Sequence, residues 1–122
     1  MASYILSAGR GRTKVKLAVY YMGEDMVIMI YNEKAHIGAV AVAEYDHKEE
    51  RASTSLITRL GHKDDVVAQN TAYLISKHTK KPVCVVAGIH LDNISEAEVE
   101  QIVANCSDLT RQVIDRTHQV PQ

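Results

Sequence analysis

Pro82-Val83-Cys84-Val85-Val86-Ala87-Gly88 is a short, unbroken apolar run closed by proline at one end and glycine at the other. Its length and its β-branched residues read as a strand buried on both faces. Its place in the chain decides the architecture. Residues 64–79 before it repeat with a helical period, and a second helix begins just after it at Ser95. A strand between two helices must find its hydrogen-bond partners in a sheet built elsewhere, so the residues upstream have to supply that sheet.

They read as four strands. Over residues 13–21, Val15, Leu17, Val19 and Tyr21 alternate with Lys14 and Lys16. After the Gly23-Glu24-Asp25 turn comes Met26-Val27-Ile28-Met29-Ile30-Tyr31, apolar on both sides as in a covered central strand. Asn32-Glu33-Lys34 turns the chain again. Residues 37–45 form a third strand, whose Gly38, Ala39, Ala41 and Ala43 leave side-chain volume to be filled by a helix or by a ligand. The charged stretch 46–51 is a solvated loop before a fourth strand at 52–60. Short turns between these strands predict an antiparallel meander.

The helices carry clear end signals. In the first, Val67, Thr71, Leu74, Ile75 and His78 share a stripe. Asp64 and Asp65 begin it, Lys77, Lys80 and Lys81 finish it in keeping with the helix dipole, and Pro82 stops it. In the second, Ser95 and Glu98 form a capping box, and Ile94 with Val99 the hydrophobic staple. Its stripe is Val99, Ile102, Val103, Cys106, Leu109 and Val113. The expected fold class is α+β. It has the order ββββαβα, a mixed, mostly antiparallel five-stranded sheet, and two helices packed on one face. Residues 1–122 form a single domain with flexible ends at 1–11 and 117–122. The face without helices also needs cover, most simply from another copy, which predicts a homodimer or higher homo-oligomer.

Composition narrows the function. With 122 residues, 46% hydrophobic and 24% charged, the chain suits one globular domain. A net charge of -1 with scattered basic residues offers nucleic acid no electrostatic footprint. No apolar run approaches the ~20 residues of a membrane helix. Met1-Ala2-Ser3-Tyr4-Ile5-Leu6 is too short, and too polar afterwards, for a signal peptide, so the expected location is cytoplasmic. The two cysteines lack CxxC spacing and sit on apolar stripes, where a thiol is inert. Phenylalanine and tryptophan are absent, leaving six tyrosines as the aromatic surface.

Three segments combine glycine with histidine at strand edges: His36-Ile37-Gly38, Gly61-His62-Lys63 and Gly88-Ile89-His90-Leu91-Asp92-Asn93. Gly61, His62 and Lys63 precede a helix, where free N–H groups and the dipole attract an anion, although Asp64 and Asp65 compete for those groups. The bland alternative is a glycine turn with a solvated lysine. His90 and Asp92, two residues apart on one side of the chain, can orient one another; alternatively Asp92 or Asn93 caps a turn. The spacing of His36, His62 and His90 is not that of a compact metal motif, so no metal ligand is assigned. Nor is a catalytic residue: Gly-x-Ser-x-Gly and P-loop patterns are missing.

Taken together, His36-Ile37-Gly38-Ala39-Val40-Ala41, Gly61-His62-Lys63-Asp64-Asp65 and Val86-Ala87-Gly88-Ile89-His90-Leu91-Asp92-Asn93 resemble the signature of the prenylated-flavin chaperone-like family associated with UbiD-type decarboxylases. The similarity runs from about residue 14 to residue 105. It implies an accessory protein that helps a UbiD-type decarboxylase mature or handle prenylated FMN, on a fold similar to proteasome-assembly chaperones. Prenylated FMN or FMN would offer its phosphate to Gly61, His62 and Lys63 and its ring edges to His36, His90 and Asp92. Gly38, Gly88 and Asn93 complete the expected binding set. Two rival classes stay open, a small enzyme using the histidines as acid, base or metal ligands, and a pure protein-assembly module.

Overall fold

In the computed structural model, which describes residues 2–59 and 64–119, the run at 83–88 lies in the interior of one mixed sheet. The strands are β1 (Tyr4–Ala8), β2 (Val15–Met22), β3 (Asp25–Tyr31), β4 (Ala39–Asp46), β5 (Arg51–Thr58) and β6 (Val83–Gly88). Helix α1 (Asp65–Thr79) precedes β6, and α2 (Glu96–Gln119) follows it. The sheet order is β1-β2-β3-β6-β4-β5. Only the β3–β6 pair is parallel among the described residues; the other pairings are antiparallel. The expected class therefore holds: α+β, mixed, mostly antiparallel, with two helices on one face.

Three details differ from expectation. The sheet has six strands, because Tyr4–Ala8 pairs with β2 in the register Tyr4↔Val19 to Ala8↔Val15. Ser3, Ser7 and the glycines that follow dilute its alternation, which hid it. At the other end of the chain α2 runs to Gln119, and Arg116 lies 3.9 Å over the Tyr4 ring, tying one end of the fold to the other. The meander is also interrupted. β2–β3 and β4–β5 are hairpins, but β6 sits between β3 and β4. Being apolar on both faces, β6 is the strand best suited to an interior position.

The helix-facing side of the sheet is the core. Leu17, Val19, Ile28, Ile30, Val85 and Ala41 are fully buried there, each large aliphatic contributing roughly 1.5–3 kcal/mol. α1 lies over β4, β5 and β6, and α2 over β1 and β2. The small residues Ala39, Ala41 and Ala43 face α1, so a helix rather than a ligand fills that volume. The third departure is the buried stripe of α1, which is Ala68, Thr71, Ala72, Ile75 and Ser76, a rotation from the one expected. Alanine against alanine lets helix and sheet approach closely, and this outweighs burial of Leu74 or His78, both exposed. On α2 the expected Ile102, Cys106, Leu109 and Val113 are buried. The Thr71 hydroxyl donates to Thr110 Oγ1 at 3.1 Å, and Thr110 in turn donates to the Cys106 carbonyl, a buried polar tie between the helices. The Ser95–Glu98 capping box forms as expected, with both reciprocal bonds at 3.1 Å.

Among the described residues, the opposite side carries no helix. Ile5, Met22, Met29, Val42 and Ile57 are exposed on it, a broad apolar surface for a single chain.

β3 reaches β4 through residues 32–38, which cross the end of β6. A Cβ on Gly88 would lie 1.5 Å from the His36 carbonyl oxygen. Gly88→Ala is therefore expected to displace the crossing and cost about 3 kcal/mol or more, read as a lowered midpoint in urea. An unchanged midpoint would show that the crossing is slack.

Candidate functional site

The crossing segment gathers two of the three glycine–histidine segments. Asn32, buried at the end of β3, donates from Nδ2 to the His90 carbonyl at 2.8 Å and accepts from the His90 N–H at 3.1 Å. The side chain thereby extends the β3–β6 ladder by one step beyond the strands. His36 follows, with Nδ1 3.2 Å from the Lys34 carbonyl and Nε2 3.3 Å from Asp64 Oδ2. The Gly38 N–H donates to the Ala87 carbonyl, and the Gly38 carbonyl accepts from the Arg59 N–H, both at 2.9 Å. Arg59 also donates from its guanidinium to the Ile37 carbonyl at 2.8 Å. The crossing is held at each step.

Asp64 is the residue that sequence reading misjudged. It makes no side-chain cap to α1. Buried instead, it accepts the Ile89 N–H at 3.0 Å through Oδ1 and faces His36 through Oδ2. A Cβ on Gly38 would lie 1.8 Å from that Oδ2. Gly38 and Gly88 are thus required by close packing around Asp64 and His36. Asn93, at φ 52, occupies a left-handed turn position that asparagine tolerates. Gly61, His62 and Lys63 lie outside the described residues.

Beyond β6, the His90 and His36 rings meet edge to face, with centroids 6.4 Å apart. His90 Nε2 donates to Asp92 Oδ1 at 2.9 Å, and Lys34 forms an ion pair with Asp92 Oδ2. Lys34, and secondly His90, hold the Asp92 carboxyl down to about 2. Nearby, Arg12 spans Glu98 Oε2 and the Asp92 carbonyl, both at 2.8 Å, and with the Ser95 N–H holds the Glu98 carboxyl down to about 2. Both carboxylates are fixed anions at neutral pH.

Clefts meet at this pair of rings. One of about 590 Å³ is charged and includes Arg12, Lys14, Lys16, Glu33, Lys34 and Asp92 in its lining. A second, of about 300 Å³, lies on the open face of the sheet against Ala18, Tyr20, Met29, Tyr31, His36 and Val86. A third, of about 370 Å³, runs between the helices past His36, Asp64 and His90 to Ile94 and Val103. Such volumes are ordinary for small-molecule sites. Among the described residues, no group of three or more His, Cys, Asp or Glu is arranged to hold a metal. Burial pushes the Cys106 thiol up to about 12, so it stays protonated at neutral pH. No helix among the described residues is long and apolar enough to cross a membrane. Lys14, Lys16, Tyr20 and Tyr31 had been read only as strand faces. Nothing in their spacing marks a cleft, because the cleft is created by the segment that crosses back over the sheet.

Residues 9–118 match the family described as the prenylated flavin chaperone LpdD-like domain. No curated protein matches the chain. Among solved structures, the fold is similar to that in a crystal structure of a chaperone complex for yeast 20S proteasome assembly. The TM-score is 0.57 at 14% identity, over 91% of this chain and 93% of that one. At that identity the likeness is one of fold.

The depressed carboxyls give a testable pH dependence. Both lie below their ordinary values of 3.8 and 4.5, so the stabilisation they give is complete above about pH 5 and is lost as pH falls through about 2. The melting temperature of wild type should exceed that of Asp92→Asn with Glu98→Gln at pH 6, and the gap should close by about pH 2. A gap constant across that range would show that neither tie contributes.

Proposed function

We propose, on the premise that the chain belongs to the prenylated flavin chaperone LpdD-like family, that it is a non-catalytic accessory protein holding a phosphate-bearing flavin for a partner enzyme. The flavin is prenylated FMN or FMN, the partner a UbiD-type decarboxylase, and the location the cytoplasm. One observation carries this reading: the His36 and His90 rings stand 6.4 Å apart where an apolar cleft adjoins a charged one. A flavin mononucleotide has the same two-part character, a flat ring system and a dianionic phosphate. The residues fit it. With its Nε2–H donated to Asp92, His90 offers the Nδ1 lone pair as an acceptor for an N–H on the ring edge, and the crossing segment keeps it from reorganising on binding. When bound, the prenylated flavin would supply the electron-sink chemistry of the decarboxylase; the chain's own residues would only hold, orient and shield it.

A second reading, a protein-assembly module, is favoured by the open face of the sheet. Met22 is 76% and Ile57 73% exposed there, with Val42 and Met29 between them. A second copy seated on that face would make the homodimer that apolar strands on both sides imply.

Titration of the protein into FMN and into prenylated FMN, followed by flavin fluorescence, tests the first reading. His90→Ala, at an exposed position, should weaken binding by about fivefold to tenfold, roughly 1–1.4 kcal/mol, and slow activation of the decarboxylase. Failure to bind either flavin, together with no effect on activation, would remove the proposal. For the second reading, light scattering should show a dimer that Val42→Glu with Ile57→Glu converts to a monomer without lowering the melting temperature by more than a few degrees. A wild-type monomer at all concentrations would exclude it.

A further inference from the structure

We infer that Lys14 and Lys16 form the phosphate seat of this site, and that the flat ring lies on the sheet beside them, in a trough floored by Ala18 and walled by Tyr20, Met29 and Tyr31. The inference rests on the flavin reading and goes beyond it by naming residues on β2 and β3 that neither the glycine–histidine segments nor the family assigns.

The register sets the arrangement. Lys16, Ala18 and Tyr20 alternate onto the open face of the sheet, and Lys14, just before β2, is exposed and lines the same cleft as Lys16. Lys16 pairs with Tyr31, and Ala18 with Met29. A charged row therefore passes directly into an aromatic and apolar one within a single strand. Lys16 and Ala18 are one strand repeat apart, about 7 Å, a distance suited to a phosphate on a short tail leaving a ring. The clefts share Tyr31 and Ala35 and so are continuous. At the floor of the apolar cleft Ala18 is a small residue between the larger Tyr20 and Met29. Tyrosine rings and a methionine thioether are suitable neighbours for an aromatic system, in a chain that lacks phenylalanine and tryptophan.

Charge supports the same division. Four cations line the larger cleft, but two are already engaged: Arg12 with Glu98, and Lys34 with Asp92. Lys14 and Lys16 make no ion pair or side-chain hydrogen bond with any described residue. Two ammonium groups lining one cleft repel one another, and a dianion between them relieves that repulsion while gaining charge-assisted hydrogen bonds. Glu33 lines the same cleft and opposes an anion; Asp92 is offset by Lys34 and His90. The recognised class is an aromatic monophosphate, with the phosphate at Lys14 and Lys16 rather than at residues 61–63.

The full chain titrated with FMN and with riboflavin, which lacks the phosphate, tests this. Wild type should bind FMN at least tenfold more tightly than riboflavin, with a preference that shrinks as salt is raised. Lys14→Ala with Lys16→Ala should abolish the preference and leave riboflavin affinity unchanged; both lysines are exposed, so melting should be unaffected. Tyr20→Ala should weaken both flavins alike. Equal wild-type affinities, a preference retained by the double variant, or a preference removed by Lys63→Ala instead would overturn the assignment while leaving flavin binding in place. Should neither flavin bind, the flavin reading fails. Inorganic phosphate, followed by amide shifts at residues 14–18, then decides the lysine seat alone: shifts lost in the double variant uphold it, and no shifts overturn it.

Discussion

Where residues 32–38 pass over the end of β6, the His36 carbonyl oxygen fills the space that a side chain at position 88 would need. That contact lets β3 and β4 be consecutive in sequence yet lie on either side of an interior strand. The arrangement is held from three directions. Asn32 binds the backbone of His90, Asp64 binds the N–H of Ile89 and faces His36, and Arg59 binds Ile37 and Gly38. None of these bonds is strong alone, each contributing about 1 kcal/mol net. Together they leave the crossing segment few alternatives, and it is this segment that brings the His36 ring to His90.

Much of this was legible in the residues. The double-sided apolarity of 26–31 and 83–87 marked the two interior strands, and the capping box marked the start of α2, because each depends on neighbours close in sequence. That the His36 and His90 segments would meet was not readable, since a glycine beside each imidazole at a strand end serves an isolated turn equally well. What escaped reading depended on distant partners. Strand order could not follow from periodicity, because the parallel pairing of β6 with β3 is chosen by burial over the whole sheet. The α1 stripe was misjudged because alanine and serine win by closeness of approach rather than by size. Asp64 looked like a helix-starting residue, and only the crossing segment gives it a buried use. Lys14 and Lys16 looked like the ordinary solvated side of a strand until residues 33–35 were folded over them.

The site that results is closely braced. Its carboxylates are neutralised by fixed cations, its buried thiol is protonated, and its histidines are braced by oxygen atoms of the backbone and of Asp64 and Asp92. The chain belongs to the prenylated flavin chaperone LpdD-like family, and with the proteasome-assembly chaperone complex it shares the fold.

The late arrival of β6 in the chain has a kinetic consequence. β2–β3 and β4–β5 are local hairpins that can close within microseconds, whereas β6 must thread into the gap between them from more than fifty residues beyond β3. Until it does, the crossing segment has nothing beneath it, and Asn32, His36 and Asp64 have nothing to grip. The crossing and the clefts beside it are therefore the last part of the molecule to acquire their shape during maturation. A nascent or partly denatured chain would retain both hairpins yet lack the clefts beside His36 and His90, whose closure marks completed folding.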